Sequence, residues 1–382
     1  MMPTPYEIHI PEQSITDTRA QLRHTRKKLR ESRLPASLPT DGERYGADRQ
    51  LIDRILDYWA EEFTWRAWED KLNSHPHFIE NIDGLDLHFW HIRGTNPDST
   101  PLLLLHGWPG SAIEYWNLIG PLTDPASHGA PEAPSFDVVI AELPGFGFSG
   151  KPTEPGWGPN RIAAALNTLM TDALGYEKYG IHGEDWGTLI GARAARNHSD
   201  SVAALQVTMP FTGPYGDHIP TPEWGGQIYA ATGYLHVQSL VPDALTIGMI
   251  DSPVALTAWI IEKFSAWSDS PNGLDATFGL DVLVANLHFY WLTDSIVSAT
   301  RLYRESALEG IDVIGPPQIE VPASILAFPK EPFASPREWL EGVYDIQRYT
   351  QFDEGGHFAA LEKPDNVLTE IREFFPTFIG GK

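Results

Sequence analysis

The sequence predicts an α/β protein, a mostly parallel sheet covered on both faces by helices, and three observations point there. Short apolar runs alternate with helical patterns from about Phe78 to Met209, the rhythm of strands joined by crossover helices. That rhythm stops beyond Pro210 and resumes near Ala323, as it would if a helical lid interrupted the sheet. Between them, Gly183-Glu184-Asp185-Trp186-Gly187 joins a strand-like run to a helix-like run, the setting of a sharp strand-to-helix turn. The expected division is an N-terminal extension (1–80), a first part of the core (81–209), a helical lid (210–315) and a second part of the core (316–382).

The elements follow in order. Ser14–Arg30 and Arg49–Lys71 carry helical spacing, with Leu51, Ile52, Ile55, Leu56, Trp59 and Phe63 recurring along the second. Leu34-Pro35 and Leu38-Pro39 break any helix and predict extended chain between them. Trp59, Trp65 and Trp68 form the surface by which this extension docks. Phe78–Ile82 and Leu85–Ile92 flank Asp83-Gly84, a hairpin signal. Strands are expected at Leu102–Leu105, Asp137–Glu142, Tyr179–His182 and Ala204–Thr208, with helices at Arg161–Leu174 and Thr188–Asn197. The lid, with helical runs at Val254–Trp267 and Leu280–Ser306, falls between the sixth and seventh strands of this count. Ala323–Phe328 and Ile346–Phe352 are the late strands, and Asn366–Phe375 is the closing helix. A lid so placed covers the C-terminal ends of the strands, where open α/β sheets bind ligands.

Composition excludes several functions. The formal charge of −24 repels a phosphate backbone, so nucleic acid is not an expected partner. The basic run Arg23-His24-Thr25-Arg26-Lys27-Lys28-Leu29-Arg30 resembles a nucleic-acid or sorting patch in isolation, but in so acidic a chain a solvated or docked helix face fits better. Without cysteine there is no disulfide, thiolate metal site or thiol nucleophile. Met1-Met2-Pro3-Thr4-Pro5 lacks a signal pattern, and no window approaches the ~20 apolar residues that span a bilayer. The expectation is a soluble, cytoplasmic protein with no membrane partner; oligomeric state stays open, a homo-oligomer included.

Asp185 narrows the chemistry most. The small-x-nucleophile-x-small pattern is that of a nucleophile elbow, with a carboxylate where a hydroxyl commonly stands. A serine attacking saturated carbon leaves an ether that water cannot cleave. An aspartate leaves an ester, whose carbonyl water can attack, so one hard displacement becomes two tractable steps. Epoxides and alkyl halides are the substrates this suits. The plainer reading makes Asp185 a helix N-cap.

The partners of such a nucleophile belong on loops after late strands. Gly355-Gly356-His357-Phe358 follows the final strand and offers the base. Glu331 follows the strand ending at Phe328 and can orient the far ring nitrogen, with Asp312, Glu320, Asp345 and Asp353 as less well placed competitors. In His106-Gly107-Trp108-Pro109-Gly110, the Trp108 N–H should lie near Asp185 and form an oxyanion hole with the Trp186 N–H. Pro109 after a bulky residue suggests a sharp turn with a cis bond open to it, and His106 reads as a structural loop histidine. Gly145-Phe146-Gly147-Phe148-Ser149-Gly150 matches a dinucleotide fingerprint only in letters, since Pro152, Pro155 and Pro159 follow where a helix would have to start. His75/His77 and His88/His91 lack a ligand set, so no metal and no cofactor are expected.

Taken together, Trp59 to Trp68, His106-Gly107-Trp108-Pro109-Gly110-Ser111, Gly183 to Gly187 and Gly355-Gly356-His357-Phe358-Ala359-Ala360-Leu361-Glu362 resemble the epoxide hydrolases of the microsomal and juvenile-hormone type. The resemblance spans essentially the whole chain. It implies the α/β-hydrolase fold, conversion of a small hydrophobic epoxide and water to a vicinal diol, and Asp185, His357 and Glu331 in the roles just given. It also implies two lid tyrosines that hold the epoxide oxygen, matched here by Tyr303 in Ser298-Ala299-Thr300-Arg301-Leu302-Tyr303 and by Tyr234 in Thr232-Gly233-Tyr234-Leu235-His236-Val237-Gln238. Unlike the membrane-bound relatives, the chain starts without a transmembrane anchor, consistent with the expected solubility. A haloalkane dehalogenase shares the Asp–His–acid logic and remains the rival enzyme. A silent scaffold that binds a hydrophobic ligand is the rival outside catalysis.

Overall fold

The computed structural model describes residues 3–32, 45–46, 48–214, 219–310 and 318–379; the Leu34–Pro39 segment and Asp312 lie outside them. Among the described residues one sheet holds nine strands. They are β1 (Thr4–Pro5), β2 (His77–Ile82), β3 (Leu85–Ile92), β4 (Thr100–Leu105), β5 (Phe136–Ala141), β6 (Tyr179–Gly183), β7 (Val202–Val207), β8 (Ile319–Ala327) and β9 (Tyr344–Gln351). Their order is β1-β2-β3-β5-β4-β6-β7-β8-β9, with antiparallel pairing from β1 through β3 to β5 and parallel pairing from β5 onward. Every residue of β4 and β5 is buried, which is why their sequences, TPLLLL and FDVVIA, are apolar apart from Thr100 and Asp137 rather than alternating.

The extension contributes α1 (Glu12–Glu31), α2 (Arg49–Glu61) and α3 (Trp65–Asn73). The core helices α4 (Trp116–Thr123), α5 (Pro159–Thr168) and α6 (Trp186–Asn197) lie between strands. Between β7 and β8 come α7 (Pro222–Ala231), α8 (Gly233–Leu240), α9 (Pro242–Thr246), α10 (Pro253–Trp267), α11 (Leu274–Thr277), α12 (Leu280–Trp291) and α13 (Ser295–Glu309). The chain closes with α14 (Arg337–Leu340), α15 (Ala359–Glu362) and α16 (Pro364–Phe378). No single helix among the described residues is long and apolar enough to cross a membrane.

Three expectations need correction. The lid segment lies between the seventh and eighth strands, not the sixth and seventh. The extra strand is β1, two residues long, which pairs with Phe78 and Ile79 through its backbone and offers no alternation to find it by. Arg49–Lys71 is two helices, because the chain turns at Glu62–Thr64 so that Phe63 and Trp65 can stack on opposite faces of the lid histidine His288, at 4.9 and 5.0 Å. Leu280–Ser306 is likewise two helices. Asp294 is left-handed (φ 52°), and the Thr293 and Ser295 hydroxyls both donate to the Phe289 carbonyl, side chains competing with the helix for its acceptor.

The extension therefore docks on the lid segment as well as on the sheet. Trp59 Nε1 donates to His288 Nε2 (2.6 Å) and Trp68 Nε1 to Asp281 (2.6 Å), both on α12. Burial holds His288 down at a pKa of about 3, with the charge of Arg19 adding to it, so the imidazole is a neutral acceptor. The basic run belongs to α1, where Arg23, Arg26 and Arg30 pair with Asp53, Asp57 and Glu61 of α2. Exposed pairs of this kind contribute about 0–1 kcal/mol each. The buried Ile15 and Leu22 on the inner face of α1 hold it more firmly.

Candidate active site

The strand-to-helix turn puts Asp185 at the C-terminal edge of the sheet. Its backbone has φ 48° and ψ −119°, a region costly for any residue with a Cβ. Gly183 and Gly187 make the turn possible: a Cβ on Gly183 would lie 2.3 Å from the Gly187 carbonyl oxygen, and one on Gly187 would lie 1.9 Å from that of Leu105. Strain of this kind costs about 1–3 kcal/mol. A helix cap returns only ~1 kcal/mol, and the Asp185 side chain makes no capping bond to α6. The N-cap reading thus explains neither the strain nor the geometry.

The carboxylate is instead held from two sides. Oδ1 accepts the Trp108 N–H at 2.8 Å, and Oδ2 lies 3.4 Å from His357 Nε2. The Trp108–Pro109 peptide is cis, and α12 holds its loop: Asn286 Nδ2 donates to the Pro109 carbonyl (2.8 Å) and the Tyr290 hydroxyl to that of Gly110 (2.5 Å). Trp186 opens α6, where the first N–H groups of a helix have no partner within it. His106 is buried and accepts the Leu143 N–H, a structural role.

His357 is buried, and its Nδ1 lies 2.7 Å from Glu331 Oε2. Glu331 is itself buried and its other oxygen accepts the Phe333 N–H at 2.9 Å, so both ring and carboxylate are fixed. Burial alone would push the imidazole down, but the Glu331 and Asp185 carboxylates together outweigh it and hold its pKa well above the ordinary value. Trp267 packs against the ring at 4.9 Å. Of the competitors for Glu331, none described contacts His357 by a hydrogen bond or ion pair.

Tyr234 on α8 and Tyr303 on α13 are both buried and close over this group. Tyr234 stacks on Trp108 (5.2 Å, 14°), Tyr303 meets Trp186 edge-on (4.7 Å, 85°), and the two phenol rings are 5.7 Å apart. Burial pushes both hydroxyls well above the usual tyrosine range and the negative Asp185 adds to it, so both stay protonated and able to donate. The Tyr303 hydroxyl is buried without a well-formed partner, as are the indole N–H groups of Trp108 and Trp186. All five predicted side chains and the Trp108 amide thus meet at one place, under a roof of aromatic rings.

Sequence reasoning missed part of that roof. Trp267, Phe333 and Lys263, whose ammonium sits 4.9 Å over the Tyr234 ring, carry no motif. Only the end of an apolar helical run at Trp267 was there to be read. Asp185 is only 8% exposed, so its carboxylate is largely shielded from bulk water. Among the described residues no group of His, Asp and Glu has the arrangement of a metal site.

Known proteins share this arrangement of chain. A family described as epoxide hydrolase N terminus matches residues 3–115, and one described as alpha/beta hydrolase fold matches residues 100–233. The chain is 32% identical to epoxide hydrolase 1 of Oryctolagus cuniculus, covering 97% of this chain and 88% of that protein. The crystal structure of juvenile hormone epoxide hydrolase from the silkworm Bombyx mori superposes with a TM-score of 0.84 at 31% identity, over 98% of this chain and 93% of the other. The Aspergillus niger epoxide hydrolase gives 0.80 at 28%, over 99% and 97%.

Proposed function

Because this chain belongs to the epoxide hydrolases of the α/β-hydrolase fold and catalyses hydrolysis of an epoxide, we propose that it does so through a covalent ester on Asp185. The observation that carries this reading is a single carboxylate with one oxygen tied to a backbone N–H and the other beside a histidine, under two lid phenols that feel its charge. Oδ2 attacks a ring carbon as the carbon–oxygen bond breaks, and Tyr234 and Tyr303 donate to the departing oxygen, so that full alkoxide charge never develops. The product of this step is a hydroxyalkyl ester.

Ester formation also prepares the second step. In the free site the imidazole is held protonated by two carboxylates. Alkylation neutralises one of them, and the proton then moves readily to the phenol that gave one up. His357, still oriented by Glu331, takes a proton from water and the hydroxide attacks the Asp185 carbonyl carbon. The oxyanion forms on Oδ1, where the Trp108 N–H already sits, and the Trp186 N–H at the start of α6 serves as the second donor. Collapse expels the diol oxygen, which takes the proton back from His357 and leaves Asp185 as a carboxylic acid; that acid gives its proton to His357, restoring both the carboxylate and the imidazolium of the free site. Apolar and aromatic walls (Trp108, Trp186, Trp267, Phe333) suit a hydrophobic epoxide.

The lid phenols give the direct test. Tyr234→Phe and Tyr303→Phe should each slow single-turnover alkylation by about 10²-fold, the usual size of general-acid help, with the double variant slower still. Alkylation at the wild-type rate in both single variants, followed by mass spectrometry of the quenched enzyme, would remove the phenols from the mechanism.

A further inference from the structure

The lid segment grips the base as well as the oxyanion loop. Trp267, the last residue of α10, offers its carbonyl to the His357 N–H (2.9 Å), and just beyond it the Asp269 carboxylate accepts the Gly355 N–H (2.9 Å). Phe264 and Phe358 stack at 4.0 Å with planes 2° apart. The approach is so close that a Cβ on Gly356 would lie 2.5 Å from the Trp267 carbonyl oxygen. One side chain spans the join. Glu362, on α15, accepts the Asp269 N–H with Oε2 (2.7 Å) and the Phe358 N–H with Oε1 (3.0 Å), so one oxygen is on the lid segment and the other is on the residue next to the base.

We propose that Glu362 is a positioning residue that registers the lid with the His357 loop, so that ester hydrolysis depends on it and ring opening does not. The inference rests on the covalent mechanism above. Ring opening uses Asp185 on the elbow and phenols on α8 and α13, none of which bonds to Glu362. Hydrolysis uses His357, whose backbone is fixed between Trp267 and Phe358. Glu362 is half-buried, where a carboxylate is costly unless its oxygens are paired, and both are given to backbone donors of the two parts that must stay in register. Burial raises Glu362 to about 7, while those two N–H groups and His357 hold it down and nearby Glu184 raises it further.

Glu362→Gln keeps the shape but turns an amide N–H toward one of the two donors. In the ester mechanism kcat/KM reports alkylation, and kcat reports hydrolysis once that step limits. The variant should therefore lose kcat by about 10²-fold, the effect of an ångström-scale misplacement, while KM falls with it and kcat/KM stays within about 3-fold. Alkyl-enzyme should accumulate in intact-protein mass spectra. Equal loss in kcat and kcat/KM, or no loss in either, would overturn the proposal. If the Gln variant does not fold, Glu362→Asp, too short to span both donors, is judged by the same split. His357→Gln is the control: an adduct there but not in the Glu362 variant defeats the role of Glu362 alone, whereas an adduct in neither defeats the covalent mechanism.

Discussion

Asp185→Ala should reduce diol formation by about 10⁴-fold or more, the scale on which removal of a covalent nucleophile is felt. Nothing else in the site can take its place. His357 and Glu331 are already committed to each other, and the phenols are donors held well above the usual tyrosine range. Folding should survive, because the substitution leaves the Trp108 N–H without its acceptor at a cost of about 1–3 kcal/mol, against the strain of a positive-φ residue that is present in either case. The check is diol yield by chromatography beside a thermal melt. A folded variant within about 10-fold of wild type would mean that water attacks the epoxide directly.

His357→Gln should separate the two halves of the reaction. Turnover should fall by about 10³-fold or more because no base remains for the water, while Asp185 and both tyrosines are left in place to open the ring. The enzyme should then gain the mass of one substrate on the peptide containing Asp185. Full loss of turnover without any adduct would contradict the covalent ester.

Much of this was legible in the sequence because the relevant residues obey local rules. The apolar runs that became β4 and β5, the glycines on either side of Asp185, and the positions of Glu331 and His357 after late strands all follow from short-range geometry. The tyrosines were not legible that way. Tyr234 and Tyr303 sit on lid helices where an aromatic residue packs as readily as it catalyses, and only resemblance to a family singled them out. Glu362 lies within the Gly355–Glu362 motif but shows no role there, because its partners are backbone N–H groups, one of them far along the chain in the lid segment. The turn between α2 and α3 was hidden for a similar reason. Its cause is His288, on a helix more than two hundred residues later.

The covalent ester is tested most directly by the origin of the diol oxygen. In a single turnover with enzyme in excess in ¹⁸O-water, the attacking oxygen comes from Asp185, so the diol should be largely unlabelled and the label should appear on the Asp185 peptide. A diol labelled in that first turnover, with no label in the enzyme, would contradict attack by Asp185.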